Sequence, residues 1–175
     1  MGFLSQWKQG RIEKAQSRAW DAFGQNDAPS LTTELDAGAN ANMVNGAGQT
    51  LVHRMILENR PSLEKSLTRP DVDWTLALPD GRTFLHLAVE SGQSRWLKIA
   101  LDHEVPLELQ TQAGHTALHL AARLGTVQII RMLDAAGASW ITRDNRSKTP
   151  LDLLSGNPVL HATWTRLLAG RGRAS

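Results

Sequence analysis

The chain has 175 residues, 41% apolar and 21% charged, with a net charge of +2. That is ordinary globular usage and argues against disorder over the whole length. No apolar run approaches the roughly 18 residues of a membrane span. The absence of cysteine excludes disulfides, thiolate nucleophiles and cysteine-ligated metals.

Read from the N-terminus, the first residues offer no continuous apolar core and no small-residue cleavage site, so a secretory leader is not expected. Met1-Gly2 begins an acylation pattern, but Gln6 stands where Ser or Thr is needed. A cytoplasmic protein is the expectation. Lys8, Arg11, Lys14 and Arg18 against Glu13 give residues 1–20 a charge of +3, whereas residues 21–110 carry −6 and residues 111–175 carry +5. Phe3, Leu4 and Trp7, then Trp20 and Phe23, have helical spacing. They predict an N-terminal capping element.

A repeat follows. Gly48-Gln49-Thr50-Leu51-Val52-His53 recurs as Gly81-Arg82-Thr83-Phe84-Leu85-His86 and as Gly114-His115-Thr116-Ala117-Leu118-His119, with a degraded copy at Ser147-Lys148-Thr149-Pro150-Leu151-Asp152. The threonines are 33 residues apart each time. Ala37-Gly38-Ala39-Asn40 lies three periods before Ala136-Gly137-Ala138-Ser139, so the register reaches into the N-terminal segment, where the Thr-containing start is lost. The best copy, residues 113–144, predicts two short helices and an extended loop. Leu118, Ala121 and Ala122 share one apolar face. Val127, Ile129, Ile130, Met132 and Leu133 make the second helix nearly apolar all round, which demands burial between neighbours. Gly125 is placed to break the chain between the helices and Gly137 to end the second helix in the left-handed conformation, so Gly125→Val, like Leu118→Asp, is expected to unfold the stack. After Pro158, the stripe Leu160, Trp164, Leu167 and Leu168 predicts a closing helix, with Arg166, Arg171 and Arg173 leading into a flexible tail at 171–175.

Thr116-Ala117-Leu118-His119-Leu120-Ala121 resembles the T-P-L-H-x-A signature of ankyrin repeats. The resemblance implies an all-α fold, an ankyrin-repeat solenoid of stacked helix-turn-helix units with β-hairpin-like loops. It divides a single domain, residues 1–170, into a degenerate first repeat (1–47), repeats at 48–80, 81–113 and 114–146, and a C-terminal capping repeat (147–170). Repeat 48–80 is the poorest match: Arg54-Met55 follow its histidine, Asn59 replaces a glycine, and Asp71-Val72 replaces the Gly-Ala turn. The resemblance also implies that His53, His86 and His119 hydrogen-bond within and between repeats. Their spacing agrees, since stacked repeats about 10 Å apart cannot share a metal at about 2 Å.

The sequence carries no recognisable catalytic motif. His103-Glu104 is not followed by the second histidine of a zinc motif, because Leu107 stands there. His115 and His161 show no ligand partner at useful spacing, no G-x-S-x-G elbow occurs, and Gly46-Ala47-Gly48 lacks the context of a nucleotide loop. Asp71/Asp73 and Asp102/Glu104 read as solvated turn acids. No catalytic, cofactor-binding or metal-binding residue is assigned, and no cofactor is expected. Arg143, Arg146 and Lys148 near Trp140 resemble a single-strand binding patch, but Asp144 sits among them, and nucleic acid is a minor alternative.

The function expected is therefore non-enzymatic binding of one partner protein, through loop tips and the concave helix face. The candidate partner-binding residues are Asn45, Gln49, Leu57, Glu58, Leu78, Asp80, Arg82, Glu90, Gln112, His115, Arg123, Leu124, Arg143, Arg146 and Lys148. Leu57, Leu78 and Leu124 are expected as apolar exposed positions, which mark interaction sites, and several of the six Trp as surface hot-spot residues. The sharper expectation is a small bacterial inhibitor of the immunity type, acting on a cognate toxin or enzyme. It would be monomeric alone, with no membrane contact and no small-molecule substrate. The alternatives are a secreted effector that engages a host protein, and an enzymatic or nucleic-acid role hidden in a degenerate repeat.

Overall fold

The computed structural model describes residues 2–171, without the side chains of residues 2–8, 155, 170 and 171. The expected stripe of Phe3, Leu4 and Trp7 lies outside the described side chains, as do the side chain of Arg171 and residues 172–175 of the expected tail. The described residues are helical, with no strand and one isolated antiparallel bridge, Ala77 to Thr83. The chain packs as two compact units, the first up to Leu76 and the second from Ala77 onward.

The first unit opens with α1 (Gly2–Gly24) and α2 (Ala28–Asp36), followed by α3 (Leu51–Leu57), a 3₁₀ turn at Pro61–Leu63 and the one-turn α4 (Glu64–Leu67). Ala15, Ala19, Ala22 and Phe23 of α1 pack on Leu31 and Leu35 of α2, all buried. Gln16 pins α1 to the next loop from both ends of its amide. Its Oε1 accepts from Asn40 N at 2.6 Å and its Nε2 donates to Asn40 O at 3.1 Å. Phe23 is fully buried and Trp20 half-buried against it, edge to face.

The second unit holds α5 (Phe84–Glu90), α6 (Ser94–Asp102), α7 (Ala117–Leu124), α8 (Val127–Ala135), α9 (Pro150–Leu153), a 3₁₀ turn at Leu154–Gly156 and α10 (Pro158–Arg171). α5 packs on α6 and α7, α7 on α8 and α9, and α6 on α8. Phe84, Leu85, Trp96, Leu97, Leu118, Ile129, Ile130 and Leu133 fill its core. The expectation that α8 is apolar all round is corrected. Gln128, Arg131 and Ala135 are exposed, and Val127 and Met132 are half-buried, so α8 is amphipathic with an outer face. The closing stripe also needs amending: Trp164 is buried and stacked on Trp140 at 5.0 Å, whereas Leu167 is exposed.

The 33-residue period is written in backbone conformation. Asn26, Asn59, Gly92 and Gly125 all have positive φ, at the break between the helices of successive repeats. Asparagine tolerates this region better than other side chains, which accounts for Asn59 and extends the register one repeat further back, to Asn26. A second series, Gly48, Gly81, Gly114 and Ser147, turns each loop tip. Every tip closes the same way, by Asn45 N to Gln49 O, Leu78 N to Arg82 O, Thr111 N to His115 O and Asp144 N to Lys148 O, at 2.7–3.0 Å.

The histidines join these parts. At each first helix the N-cap threonine N–H donates to the imidazole three residues on: Thr50 to His53, Thr83 to His86 and Thr116 to His119, at 3.1–3.2 Å on Nδ1. An accepting Nδ1 leaves the proton on Nε2. Nε2 then donates onward, from His86 to His115 O at 3.0 Å and from His119 to Lys148 O at 3.1 Å, spanning 29 residues each time. In the first unit His53 Nε2 meets Leu76 O. Burial holds the His86 imidazole below its ordinary pKa, against its hydrogen bond to the His115 carbonyl, so it stays neutral. Asp152 keeps the cap, accepting from Thr149 N at 2.9 Å, but has no ring nitrogen to donate onward.

Candidate functional site

The tips carry the candidate surface, and their own hydrogen bonds decide which side chains are available. In the first unit, Asn45 Oδ1 accepts from the backbone N–H of Ala47 and Gln49, and Asn45 Nδ2 donates to Gln49 Oε1 at 3.1 Å. Both residues are occupied in closing their own turn. Glu58 is ion-paired to Arg54 and to Arg60. Leu57 alone of the four candidates there stands out unpaired and apolar, 48% exposed.

In the second unit the tips are tied side by side. Gln112 N donates to Asp80 O and Gln112 Nε2 to Pro79 O; one period on, Asn145 N donates to Ala113 O and Asn145 Nδ2 to Gln112 O. Glycine is required where the tips meet: a Cβ on Gly114 would stand 2.6 Å from Asn145 N. Gln112 is therefore a cross-tie. Leu78 is corrected outright, because it is buried at 7% exposure rather than displayed. The tryptophans are corrected too, since Trp74, Trp96, Trp140 and Trp164 are all buried. Trp140 is stacked on Trp164 and donates from Nε1 to Asp134 at 2.9 Å, so it offers no face to a nucleotide base.

Asp144 also differs from expectation. It is buried inside the last tip, where Oδ1 accepts from the N–H of Arg146 and Lys148, both at 2.8 Å. Burial opposes ionisation there, but those two N–H groups and the nearby histidines outweigh it and hold the carboxyl below its ordinary pKa. Its Oδ2 lies 3.4 Å from His115 Nε2, a partnership that the sequence did not suggest. His115 itself is kept below its ordinary pKa, first by burial and then by the charge of Arg123, with Asp144 acting the other way.

Six of the fifteen candidates converge. Asp80, Arg82, Glu90, Gln112, His115 and Arg123 line one groove of about 250 Å³, with Thr111, Ala113 and Leu120 between them. Arg82 is held by two carboxylates, Asp80 and Glu90, each at 2.7 Å, and this fork raises its pKa further. Arg123 is exposed and makes no hydrogen bond or ion pair within the described structure, and Leu124 beside it is 50% exposed. Arg146 and Lys148 are exposed on the next tip. Arg143 is exposed as well and donates to the Ser147 carbonyl at 2.7 Å. No group of three or more metal-binding side chains occurs among the described residues, and no helix among them is long and apolar enough to cross a membrane.

A family model for ankyrin repeats, in three copies, matches residues 52–144. The chain belongs to the ankyrin-repeat family. Among curated proteins, this ankyrin-repeat chain is 31% identical over 143 residues to NF-kappa-B inhibitor alpha of Mus musculus, covering 75% of the chain and 45% of that protein. It is 39% identical over 71 residues to diacylglycerol kinase zeta of Rattus norvegicus, covering 39% of the chain and 8% of the kinase. It is also 33% identical over 110 residues to the NF-kappa-B p105 subunit of Gallus gallus, covering 62% and 11%. The chain spans less than half the length of each of these relatives.

The residues that sequence reasoning missed are connectors. Asn42 Oδ1 accepts from Asp73 N and its Nδ2 donates to Asp71 O. Two periods later Glu108 accepts from Ser139 N and Thr142 Oγ1. A polar side chain recurring at the same position of the register, 66 residues apart, after the turn that ends a second helix, is the signal that could have found them.

Proposed function

We propose that the chain is a non-enzymatic binding protein that holds one partner protein on its loop tips and first-helix ends. Its mode of action is stoichiometric inhibition, as a small bacterial inhibitor of the immunity type that covers a cognate toxin or enzyme in the cytoplasm. An ankyrin-repeat chain is a protein-interaction module, and that much needs no proposal. The finer reading is supported by one observation above others: a row of cross-tied tips leaves Arg123, Leu124, Arg146 and Lys148 exposed beside a groove. Tips already tied by hydrogen bonds spare binding the cost of ordering the backbone, which leaves only the side chains of Arg123, Arg146 and Lys148 to be ordered. That one relative carries the word inhibitor in its name supports the mode of action. Trp140, closed off against Trp164, weighs against the nucleic-acid alternative.

The test is affinity capture on the immobilised chain from native lysate, with mass spectrometry of what is retained and an activity assay of it. A single partner whose activity falls to zero at one equivalent is the expected result, with binding weakened by Arg146→Glu plus Lys148→Glu. A partner whose activity is untouched at saturation removes the inhibitor reading. A partner found only in a host-cell lysate replaces it with the effector reading.

A further inference from the structure

Repeats 81–113 and 114–146 present the same two positions to the groove, and chemistry differs between them. In the first, the tip position is Arg82 and the helix-end position is Glu90, joined by an ion pair of 2.7 Å. One period later, the tip position is His115 and the helix-end position is Arg123. The acid has become a base. Arg123 is left exposed, with no hydrogen bond or ion pair in the described structure. His115 cannot neutralise it, and the charge of Arg123 helps to keep His115 unprotonated. Both pairs of positions line the same groove of about 250 Å³, so the filled arrangement and the unfilled one stand side by side.

We infer that Arg123 is a carboxylate-recognition position, which takes an Asp or Glu side chain of the partner in the role that Glu90 fills toward Arg82. This rests on the reading of the chain as a protein binder and names the partner's chemistry: an acidic segment with an aliphatic residue next to the acid. The aliphatic neighbour is accounted for by Leu124, half-exposed and adjacent in sequence. The guanidinium presents a planar fork of donors that a carboxylate accepts bidentately. The rest of the groove favours one carboxylate over a polyanion, because Asp80 and Glu90 line it as well. A nucleic-acid backbone, with a charge at every nucleotide, would run into both. Arg146 and Lys148 on the next tip, exposed and without ion pairs among the described residues, extend the attraction to a second acid.

The experiment is selection of a displayed library of random twelve-residue peptides on the full chain, with the selected peptides then titrated against variants. The expected pool is enriched in Asp or Glu beside Leu, Ile or Val. Its affinity falls about tenfold or more in Arg123→Ala, the scale of one charge-assisted contact. Selection on Arg123→Glu yields a pool enriched in Lys and Arg instead. Arg131→Glu, on the outer face of α8, leaves binding unchanged. Thermal melts of each variant confirm that the fold is retained. A pool that binds the wild-type groove without acidic bias, and is indifferent to residue 123, overturns this inference while the binding function stands. A pool displaced only by Arg131→Glu, or no pool at all, overturns both. A single-stranded oligonucleotide that binds in preference to every peptide, and is lost in Arg123→Ala, assigns the position to phosphate and overturns the carboxylate.

Discussion

The two units build the same repeat from different materials. In the second unit the second helices are full: α6 and α8 run for nine residues each and bury Trp96, Leu97 and Ile99, then Ile129, Ile130 and Leu133. In the first unit the corresponding stretch after Asn59 is a 3₁₀ turn and a single helical turn, burying Leu63, Ser66 and Leu67. Pro61 starts the element at the same register as Ser94 and Val127, so the frame survives although the helix does not. Arginines supply what apolar packing does not. Arg60 donates to the carbonyls of Phe23 and Gly24 at 2.6 and 2.9 Å, closing the open end of α1, and lies over the Phe23 ring. Arg69 joins Asp36 to Asp71 and is held firmly protonated by them, Asp36 most of all. A repeat is thus defined by where the chain turns and caps, and its filling is negotiable.

The comparison can be broken first in the apolar unit. Leu118→Asp places a charge at a site 1% exposed and is expected to cost more than about 4 kcal/mol. Hydrogen exchange should lose protection from Ala77 onward; retained protection there would mean that α7 is not central. Gly114→Ala comes next, with a collision at Asn145 added to a positive φ, for about 3 kcal/mol in denaturant melts. Gly125 has the same handedness but open space around it. Gly125→Val therefore carries strain without collision and is expected to cost about 1–3 kcal/mol, a smaller effect than the unfolding of the stack expected from the sequence. Equal losses at both glycines would remove the distinction between strain and collision.

In the polar unit, Arg60→Ala deletes two carbonyl contacts and the pair with Glu58, for about 1–3 kcal/mol. The loss should appear in exchange of residues 20–27 and not beyond Ala77. The smallest effect is one of pH. The folded state holds His86 below its ordinary pKa, so the unfolded chain binds the proton first. Stability is intact above the ordinary imidazole range, falls as the pH drops through it, and levels off below the folded pKa. His86→Gln should flatten that part of the pH profile of Tm; an unchanged profile would assign the slope to another group.

Much of this was legible from residues alone because it is local. The threonine caps, the αL positions and the reach of an N3 imidazole to its own N-cap depend on a few consecutive residues, so three copies of Gly-x-Thr and a fourth with Ser147 in place of glycine were enough to place them. Repeat 1–47 was harder, since α1 runs unbroken where a tip and cap would start, and the register returns only from Asn26 onward. Exposure was harder still. Leu78 and Leu57 are both leucines at nominally outward positions, yet one is buried and the other stands in solvent.

By itself the sequence determined the period, the all-helical repeat and the places where the chain turns, because backbone dihedral preferences and caps act over four or five residues. Only the tertiary structure decided that Asp144 faces inward beside His115, that Gln112 and Asn145 tie tips together, that Trp140 is closed off, and that Arg123 is left without the acid its neighbour has. The first three depend on residues 24–33 positions apart being brought within hydrogen-bond or stacking distance, and the last on which charged side chains face one groove; there packing rather than local preference sets which groups are satisfied.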